Sequence, residues 1–399
     1  MLTTDFLVIG LGIVGISIAR ELKSRFPDAG VLVVEKEPES ALHSSGRNSG
    51  VLHAGFYYTA DSLKARFTRD GNRQLTEYCD EYSLPINKCG KLVVAKDESE
   101  LGSLDELFSR GHANGIEIQQ VTANEARDLD PRAITFERAL YSPTTSSVDP
   151  LVIVRHMEEL AKSEKILFLY NTSYLSRKGD TVTTTGEKIR AGYVVNAAGL
   201  HADKIALDYG YSKDYRILPF KGLYLYSSEP PGSFNKHIYP VPDLRNPFLG
   251  VHFTITVEGK VKIGPTAIPA FWRENYQGLN NFSITEMIDI VSREFMLLAF
   301  GKFDFLQLTL RELRKFSRKH MVHLATHLAT GIKTTDYKNW GKPGIRAQLV
   351  NIRTKQLEMD FVIEGDNKSM HILNAVSPGF TCSIPFARHV CDSISENLN

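Results

Sequence analysis

The chain has 399 residues, of which 42% are hydrophobic and 23% are charged, and its formal net charge is +1 at pH 7. These values are typical of a globular protein with two joined domains, and the small net charge gives no reason to expect a nucleic-acid partner. The four cysteines form no CxxC pair, which argues against a zinc site or a disulfide scaffold and suits a reducing, cytoplasmic compartment.

The opening segment predicts a strand over Phe6–Ile9, a helix over Ile13–Phe26 and a second strand over Val31–Val34. The first strand begins about five residues into the chain, and no apolar run approaches about 18 residues. We therefore expect neither a signal peptide nor a membrane-spanning helix.

Three glycines in GxGxxG spacing join the first strand to the helix. Gly10 permits a tight turn, Gly12 lets the backbone approach a pyrophosphate, and Gly15 lets the helix and the strand pack closely. The first helical residues, Ile13 and Val14, present N–H groups and a positive dipole end to the phosphates. The segment predicts a dinucleotide-binding unit.

An acidic residue closes this unit. Glu35, followed by Lys36, ends the second strand where a carboxylate accepts hydrogen bonds from a ribose diol. The loop that follows, over 41–62, is rich in glycine, serine and histidine and is long enough to be a binding loop.

Further elements follow in chain order. Hydrophobic periodicity and caps predict helices over 63–82, 97–114, 151–163, 202–207, 283–330 (with Ser283 to Glu286 as a capping box) and 384–398. β-type runs predict strands over 90–95, 166–170, 181–184, 188–190, 193–199, 223–226, 248–256, 260–263, 345–363 and 369–374.

This order predicts an α/β (overall α+β) protein with two interleaved domains. A Rossmann-like nucleotide domain takes residues 1–90, 140–210 and 370–399. A mainly antiparallel substrate cap takes residues 91–139 and 211–369 and includes the helical segment 283–330. A cofactor between them would be shielded from water yet open to a small substrate.

The distribution of glycine-rich turns favours FAD over NAD as the cofactor. Besides the opening turn, the run Asn196–Gly199 and the turn Ser377–Thr381 have the same small-residue character. Contacts from both ends of the chain fit a long ligand.

The loop His43–Tyr58 resembles the flavin loop of L-2-hydroxyglutarate dehydrogenases and oxidases, within the wider group of flavoenzymes similar to glycine oxidase and D-amino-acid oxidase. The resemblance covers nearly the whole chain. It continues through 62–66, 89–95, 238–243, 247–254, 343–348 and 374–378. Arg47 and Leu223 depart from the pattern that we expect of the family.

Oxidation of a 2-hydroxy acid needs a group that accepts one proton, and a neutral imidazole suits that step. His53, on the predicted flavin loop, and His252, on a cap strand, are the catalytic candidates. His43 is a weaker candidate for cofactor contact. His320, His323 and His327 have no carboxylate partners, so we interpret them as surface residues and predict no metal site.

A 2-hydroxydicarboxylate needs two anion clamps. Arg346 is the first candidate, because a guanidinium group matches a carboxylate with two parallel hydrogen bonds. Lys221 and Arg66 are candidates for the second clamp, and Tyr58 and Tyr239 could donate phenol hydrogen bonds.

The remaining predicted contacts are with the cofactor. The resemblance implies that the backbone of Thr172 holds the adenine, and Gly379 to Thr381 would place N–H groups near the flavin N1–C2=O edge. Further cofactor candidates are Ser44, Ser45, Asn48, Ser49, Gly50, Ala198, Gly199, Pro378, Gly379, Phe380 and Thr381.

The segment 304–328 predicts an amphipathic helix. Its apolar stripe is Leu306, Leu310, Leu313 and Phe316, with Arg311, Arg314, Lys315, Arg318 and Lys319 beside it. One interpretation is a helix packed on the core by one face. The other is peripheral contact with the inner face of the cell membrane, which would favour a quinone over oxygen as electron acceptor.

Three functions remain open on the sequence alone. The first is FAD-dependent oxidation of L-2-hydroxyglutarate to 2-oxoglutarate, with electrons passed to a quinone or oxygen. The second is an amine oxidase acting on glycine, sarcosine or a D-amino acid. The third is a flavin-bound membrane adaptor without catalysis, and glycerol-3-phosphate-like substrates are a further alternative.

Overall fold

The structure is a computed structural model that describes residues 1–243, 249–301 and 305–398. Its α-helices are α1 (Ile13–Arg25), α2 (Leu63–Glu81), α3 (Leu101–Ala113), α4 (Ala123–Leu129), α5 (Pro150–Ser163), α6 (Ala202–Asp208), α7 (Ile284–Phe300), α8 (Phe305–Arg314), α9 (Arg318–Thr326) and α10 (Ser383–Leu398).

The strands, in chain order, are β1 (Leu2–Ile9), β2 (Val31–Val34), β3 (Val51–Leu52), β4 (Ile86–Asn87), β5 (Lys91–Val94), β6 (Gln119–Thr122), β7 (Arg138–Ser142), β8 (Ser146–Val148), β9 (Leu167–Leu169), β10 (Tyr174–Lys178), β11 (Thr181–Thr184), β12 (Lys188–Asn196), β13 (Tyr215–Gly222), β14 (Leu225–Ser227), β15 (His237–Pro240), β16 (His252–Ile255), β17 (Val261–Gly264), β18 (Ile268–Pro269), β19 (Tyr337–Trp340), β20 (Gly344–Asn351), β21 (Gln356–Leu357), β22 (Val362–Gly365) and β23 (Ser369–Asn374).

The first sheet has the strand order β10-β11-β12-β1-β2-β9, with β23 beside β12 and β22 beside β23. The pairs from β12 through β1 and β2 to β9 are parallel. Helices cover both faces of this sheet. Phe6 and Val8 pack with α1, α5 and α10, whereas Leu7 and Ile9 pack on the opposite side, where α6 contributes Ile205. Burial on both faces explains why β1 is a continuous apolar run rather than an alternating one.

The second large sheet is the cap, in the order β19-β14-β17-β16-β15-β5-β7-β6. Its pairs are antiparallel except β15 with β5. Alternate residues face opposite sides of a strand. One side is apolar and packs on α9 through residues that include Leu92, Ile238, Phe253, Ile263, Met321 and Val322. The other side is polar yet buried, and it carries Lys91, His237, Tyr239, His252, Thr254 and Lys262.

Two smaller sheets complete the fold, β18-β13-β20-β21 and β3-β8-β4. The structure thus confirms the predicted combination of a parallel nucleotide sheet and a mainly antiparallel cap. The domain boundaries stay a prediction. The strand β22 pairs with β23 of the first sheet, although the sequence assigned residues 211–369 to the cap.

Several predicted elements need correction. The single helical segment 283–330 is divided into α7, α8 and α9, and the predicted strand 345–363 into β20, β21 and β22. The predicted strand 248–256 is reduced to His252–Ile255, and its first residue, Phe248, lies outside the described residues. The capping box is half formed. Ser283 accepts from the Glu286 N–H, but the Glu286 carboxylate binds Lys204 instead.

Among the described residues, no helix combines the length and the apolar composition needed to cross a bilayer. The four cysteines are buried and free.

Candidate functional site

A cavity of about 780 Å³ lies between the parallel sheet and the polar side of the cap. It runs from the opening glycine turn to the closing turn at 377–381. Most of the predicted cofactor residues line it, namely Gly10, Gly12, Ile13, Val14, Glu35, Lys36, Ser44, Ser45, Asn48, Ser49, Thr172, Ala198, Gly199, Pro378, Gly379, Phe380 and Thr381.

The opening turn is closed to any larger side chain. Gly10 has φ +105°, and a Cβ there would lie 2.7 Å from the carbonyl oxygen of Ala197. A Cβ on Gly15 would lie 1.9 Å from the Gly10 carbonyl oxygen, so this glycine permits the close approach of α1 to the turn. A Cβ on Gly12 would lie 2.8 Å from the Ser45 hydroxyl. The turn therefore brings bare backbone to the cavity wall.

Polar side chains hold the N-terminal end of α1. The hydroxyl oxygen of Ser45 accepts from the N–H of Ile13 at 2.9 Å, and the carboxylate of Glu35 accepts from the N–H of Leu11 at 2.7 Å. Thr172 donates its own N–H to the carbonyl of Glu35 at 2.8 Å. Its backbone N–H is thus engaged with the tip of β2, which leaves its carbonyl for adenine in the predicted contact.

The loop after β2 is tied to the strand β20. Ser44 donates its hydroxyl to the carbonyl of Ile345 at 2.7 Å. Arg47, which departs from the expected family pattern, donates to the carbonyl of Pro343 at 3.3 Å, and its guanidinium carbon lies 4.4 Å from the ring centre of Tyr276. Arg47 therefore holds the loop against the cap. Gly50 has φ +76°, a conformation that favours glycine, and it turns the backbone of the loop. It is not one of the described residues that line the cavity.

The closing turn meets the flavin loop at His53. The His53 N–H donates to the hydroxyl of Thr381 at 3.2 Å. The N–H of Gly379 is bonded to the carbonyl of Val376 at 2.9 Å, so Phe380 and Thr381 carry the N–H groups left for a ligand there. His53 itself lines the cavity.

The cap contributes a stacked pair to the same cavity. The rings of His252 and Tyr239 lie 3.7 Å apart between centres and 20° from parallel. His252 Nδ1 lies 2.8 Å from the carbonyl of Gly250, so Nδ1 carries the proton and Nε2 remains an acceptor. Both residues line the cavity.

Both candidate imidazoles are held neutral. Burial lowers the pKa of His252 to about 3, and the positive charge of Lys91 adds to that effect. Burial also lowers the pKa of His53 well below its usual value, together with Lys91, His252, His237 and Arg346. An imidazole without a proton can accept one, so the arrangement suits a general base.

Positive charge collects at one end of the site. Arg346 lines the cavity and faces the phenol of Tyr58 and the cation of Lys64. Burial, aided by Arg346, lowers the pKa of Lys64 to about 8. The carboxylate of Asp360 also faces Lys64, but it accepts hydrogen bonds from the N–H groups of Leu63 and Lys64 at the start of α2. Arg346 in turn faces the carboxylate of Glu312, which is already paired with Lys315. Three buried cations and two carboxylates thus meet at this end among the described residues, an arrangement that favours an anionic ligand.

The structure does not bring Arg66 to this place. It lies exposed on α2 above the ring of Phe67, at 4.8 Å. Lys221 is half-buried between the cavity-lining residues Phe220 and Gly222, and burial lowers its pKa. Sequence reasoning missed Lys64, although it lies two residues before Arg66. The N-cap at Ser62 places both Lys64 and Arg66 in the first turn of α2, so no local signal separates them.

A second group that the sequence did not reveal links the flavin loop to the cap. The ammonium of Lys36 binds the carboxylates of Glu37 and Glu274, the latter at 2.8 Å. His43 lies 2.9 Å from Glu37 and 2.9 Å from the hydroxyl of Tyr276. Glu37, His43 and Glu274 have the donor types of a metal site, but a lysine cation already lies between the two carboxylates. We interpret the group as a clasp over the cavity.

The residues present fit FAD. The glycine turn offers bare backbone for a pyrophosphate, Glu35 lies at the ribose position, and the cavity continues to His53, His252 and the turn at 377–381. FAD is the cofactor that such an extended cleft, contacted by both ends of the chain, accommodates.

Comparison with known proteins agrees with this geometry. A family profile described as FAD dependent oxidoreductase matches residues 5–393. The L-2-hydroxyglutarate dehydrogenase of Escherichia coli O17:K52:H18 is 33% identical over 99% of this chain and 94% of its own length. The mitochondrial L-2-hydroxyglutarate dehydrogenase of Homo sapiens is 33% identical over 99% of this chain and 89% of its own length.

Solved structures show the same fold. The L-α-glycerophosphate oxidase of Mycoplasma pneumoniae with FAD bound aligns with a TM-score of 0.78 at 21% identity, over 99% of this chain and 95% of that one. Glycine oxidase from Geobacillus kaustophilus aligns with a TM-score of 0.74 at 18% identity, over 100% and 96%. The chain belongs to the FAD-dependent oxidoreductase family.

Proposed function

We propose that the protein oxidises L-2-hydroxyglutarate to 2-oxoglutarate. The observation that carries this proposal is the pair of buried cations, Arg346 in the cavity wall and Lys64 facing it, together with the two neutral imidazoles that line the same cavity. Each cation would hold one carboxylate of a dicarboxylate. The similarity to L-2-hydroxyglutarate dehydrogenases over 99% of the chain supports the same substrate.

The oxidation removes a hydride from C2 of the substrate and a proton from its 2-hydroxyl group. When bound, FAD supplies the acceptor for the hydride. His53 or His252 accepts the proton, since both imidazoles are neutral at working pH. Arg346 and Lys64 orient the two carboxylates, and the phenol of Tyr58 faces the guanidinium of Arg346.

Anaerobic mixing of the flavin-loaded protein with a substrate panel tests the proposal. The panel contains L- and D-2-hydroxyglutarate, L-lactate, glycine, sarcosine and L-α-glycerophosphate. Fast bleaching of the flavin band by L-2-hydroxyglutarate alone is the expected result. If an amine or the phosphate ester bleached the flavin instead, the substrate would belong to that class and the proposal would be wrong. If no compound bleached it, the interpretation as a non-catalytic adaptor would be favoured.

The roles of Lys64 and Arg346 in binding the two carboxylates can be tested separately. Lys64→Met and Arg346→Met should each raise the KM for L-2-hydroxyglutarate by about tenfold or more, because each removes a charge-assisted contact. Arg66→Met is the matched control on the same helix, and its KM should not change. Equal effects of Lys64→Met and Arg66→Met would remove Lys64 from the proposal.

We also propose that the helices α7 and α8 dock on an anionic membrane surface and that a membrane quinone is the electron acceptor. The apolar stripe on α8 is exposed, with Leu306 at 55% and Leu310 at 50%, and Phe316, two residues beyond the helix, is 52% exposed. On α7, Ile288, Phe295 and Phe300 are exposed as well. Within 304–328, α9 packs on the core of the cap through Met321 and Val322, whereas the stripe on α8 is exposed. Residue 304 lies outside the described residues.

The charges beside the stripe complement an acidic surface, with one correction. Arg311, Arg314 and Lys319 are exposed, but Lys315 is buried and paired with Glu312. An apolar face flanked by basic side chains is the pattern of an interfacial helix.

Co-sedimentation with phosphatidylglycerol vesicles tests this docking. The double variant Leu310→Ser/Phe316→Ser should lose binding. Leu175→Ser, which changes an exposed leucine on β10, is the control and should bind as the unchanged protein does. A short-chain quinone should reoxidise the flavin faster than oxygen. Equal sedimentation of all variants would contradict docking, and faster reoxidation by oxygen would contradict the acceptor.

A further inference from the structure

The side chain of Lys91 is enclosed in the protein, and the part of the chain that the structure describes offers it no counter-ion. It is 0% exposed, and its ammonium nitrogen lies 4.4 Å from the ring centre of Phe56, 4.6 Å from that of Tyr57 and 5.0 Å from that of Tyr239. Among the described residues, this nitrogen has no hydrogen-bond partner. A buried lysine is normally paired, so this arrangement requires a reason beyond packing.

The register of the cap sheet shows what Lys91 accompanies. Lys91 on β5 is opposite His237 on β15, and Thr254 on β16 is opposite Lys262 on β17. These side chains form one row on the polar side of the sheet. The next row holds Tyr239 and His252, which line the cavity. Lys91 therefore lies directly behind the stacked pair of the site.

The aromatic rings give Lys91 a connection to that pair. One ring of its cage, Tyr239, is the ring on which His252 stacks at 3.7 Å. The faces of aromatic rings attract cations, so the cage stabilises a charged ammonium group without neutralising it. A carboxylate in the same place would cancel the charge.

We propose that Lys91 is a positioning residue of the oxidation site: its ammonium group adds to the burial of His53 and His252 in disfavouring a proton on them, so that one of them can accept the hydroxyl proton of the substrate. This inference rests on the proposed function. It adds to that function a residue that acts through the imidazoles and does not itself touch the substrate.

The other charged groups that face the two imidazoles are consistent with this role. Lys262, Lys315, Arg346 and His237 also face them. Glu312 is paired with Lys315, and Asp149 faces Lys262. His237 stays neutral, because its Nδ1 accepts from the N–H of Ile255 at 3.0 Å and burial lowers its pKa well below the usual value.

Lys91 gains its proton in the pH range in which its charge can act on the histidines. Burial lowers the pKa of Lys91 to about 7. Below that pH the side chain gains its positive charge, and this is the range in which an ordinary histidine, with a pKa of about 6.5, would take up a proton. The charge thus appears where it is needed to prevent that uptake.

The experiment compares the pH profiles of kcat/KM for L-2-hydroxyglutarate in flavin-loaded variants. Lys91→Met and Lys91→Gln remove the charge, and the acidic limb should move up by about one pH unit, the size of one charge interaction across a buried site. Lys91→Arg keeps the charge, so its limb should stay in place. Lys88→Met, at an exposed lysine paired with Asp80, is the control and should not move the limb.

Each other outcome overturns the proposal. An unchanged limb in the neutral variants, or an equal shift in Lys91→Arg, would mean that the charge does not act on the base. Failure of both neutral variants to fold, with Lys91→Arg folded and active, would make Lys91 a structural residue. Absence of turnover in the unchanged protein would instead be a failure of the proposed function, and it would be visible before any variant is made.

Discussion

His252 and Tyr239 stack at 3.7 Å on adjacent strands of the cap, and the Gly250 carbonyl fixes the Nδ1 side of the imidazole. Rotation of the ring out of its plane would lose the stacking, and a flip of the ring would lose the contact of Nδ1 with the Gly250 carbonyl. Its remaining nitrogen is therefore a fixed acceptor in the wall of the cavity, which is the geometry that general-base catalysis needs.

Removing the imidazoles should separate catalysis from cofactor binding. His53→Ala and His252→Ala should retain the yellow flavin but lower turnover by about a hundredfold, the usual scale of general-base catalysis. Steady-state kinetics with flavin absorbance measures both. His323→Ala, at an exposed histidine on α9, is the control. Full activity in both cavity variants would contradict the assignment of the base.

The stacking itself makes a second prediction. The hydroxyl of Tyr239 has no hydrogen-bond partner among the described residues, so Tyr239→Phe should change kcat by no more than about threefold. Tyr239→Leu removes the ring surface that holds His252 and should lower kcat by about tenfold or more. If Tyr239→Phe were as damaging as Tyr239→Leu, the hydroxyl rather than the stacking would be the functional part.

The sequence predicts best where one local pattern determines the structure. The turn at Gly10–Gly15 and the strand Val31–Val34 occur as expected, because glycine spacing and a fully apolar run each permit few conformations. The long segment 283–330 was predicted as one helix, since its periodicity continues across breaks that no proline marks.

The cationic end of the site shows the opposite case. Of the two basic residues in the first turn of α2, the sequence suggested Arg66 as a clamp, whereas the structure buries Lys64 and exposes Arg66. Lys91 had no local signal either, because its cage comes from Phe56 and Tyr57 on the loop after β3 and from Tyr239 on β15. Contacts between segments that are distant in the chain determine such positions, and a single sequence does not show which segments will meet.

The glycine turn predicts a specific loss of cofactor. Gly12→Val would place a Cβ 2.8 Å from the Ser45 hydroxyl, which accepts from the Ile13 N–H, and would add methyl groups to the cavity wall at the glycine turn, so FAD retention should be lost. Gly102→Val is the matched control, because nothing lies within 4 Å of a Cβ there. The flavin-to-protein absorbance ratio after purification gives the answer. A fully yellow Gly12→Val protein would show that the cofactor does not depend on this turn.

A buried ion pair joins the cap to the helix α6, and its loss should destabilise the protein. Arg273, in the cap, binds Asp203, on α6, at 2.7 and 2.9 Å, and both are at most 1% exposed. Asp203→Ala would leave the buried guanidinium with Glu286 at 3.7 Å as its remaining carboxylate partner and should lower the free energy of unfolding by about 3 kcal/mol. Glu77→Ala, which removes an exposed ion pair with Arg73, is the control and should cost no more than about 1 kcal/mol. Urea unfolding distinguishes them, and equal losses would mean that the buried pair is not special.

Buried neutral histidines predict how stability depends on pH. Burial lowers the pKa of His371 to about 4 and that of His252 to about 3, whereas both are near 6.5 in the unfolded chain. As the pH falls below about 6.5, the unfolded chain takes up protons that the folded protein refuses. Each such histidine therefore lowers the free energy of unfolding by about 1.4 kcal/mol per pH unit until its folded pKa is reached.

His371 allows this slope to be tested at one position away from the cavity. It lies on β23 between the rings of Tyr209 and Tyr211, at 4.8 and 5.2 Å. His371→Phe keeps an aromatic ring there but removes the titrating group. The free energy of unfolding, measured with urea, should therefore decrease less steeply between about pH 6 and pH 5, by the contribution of one proton. His323→Phe, at an exposed position on α9, is the control and should leave the slope as it is. A slope that does not change in His371→Phe would mean that the acid sensitivity arises elsewhere, with the carboxylates as the remaining source.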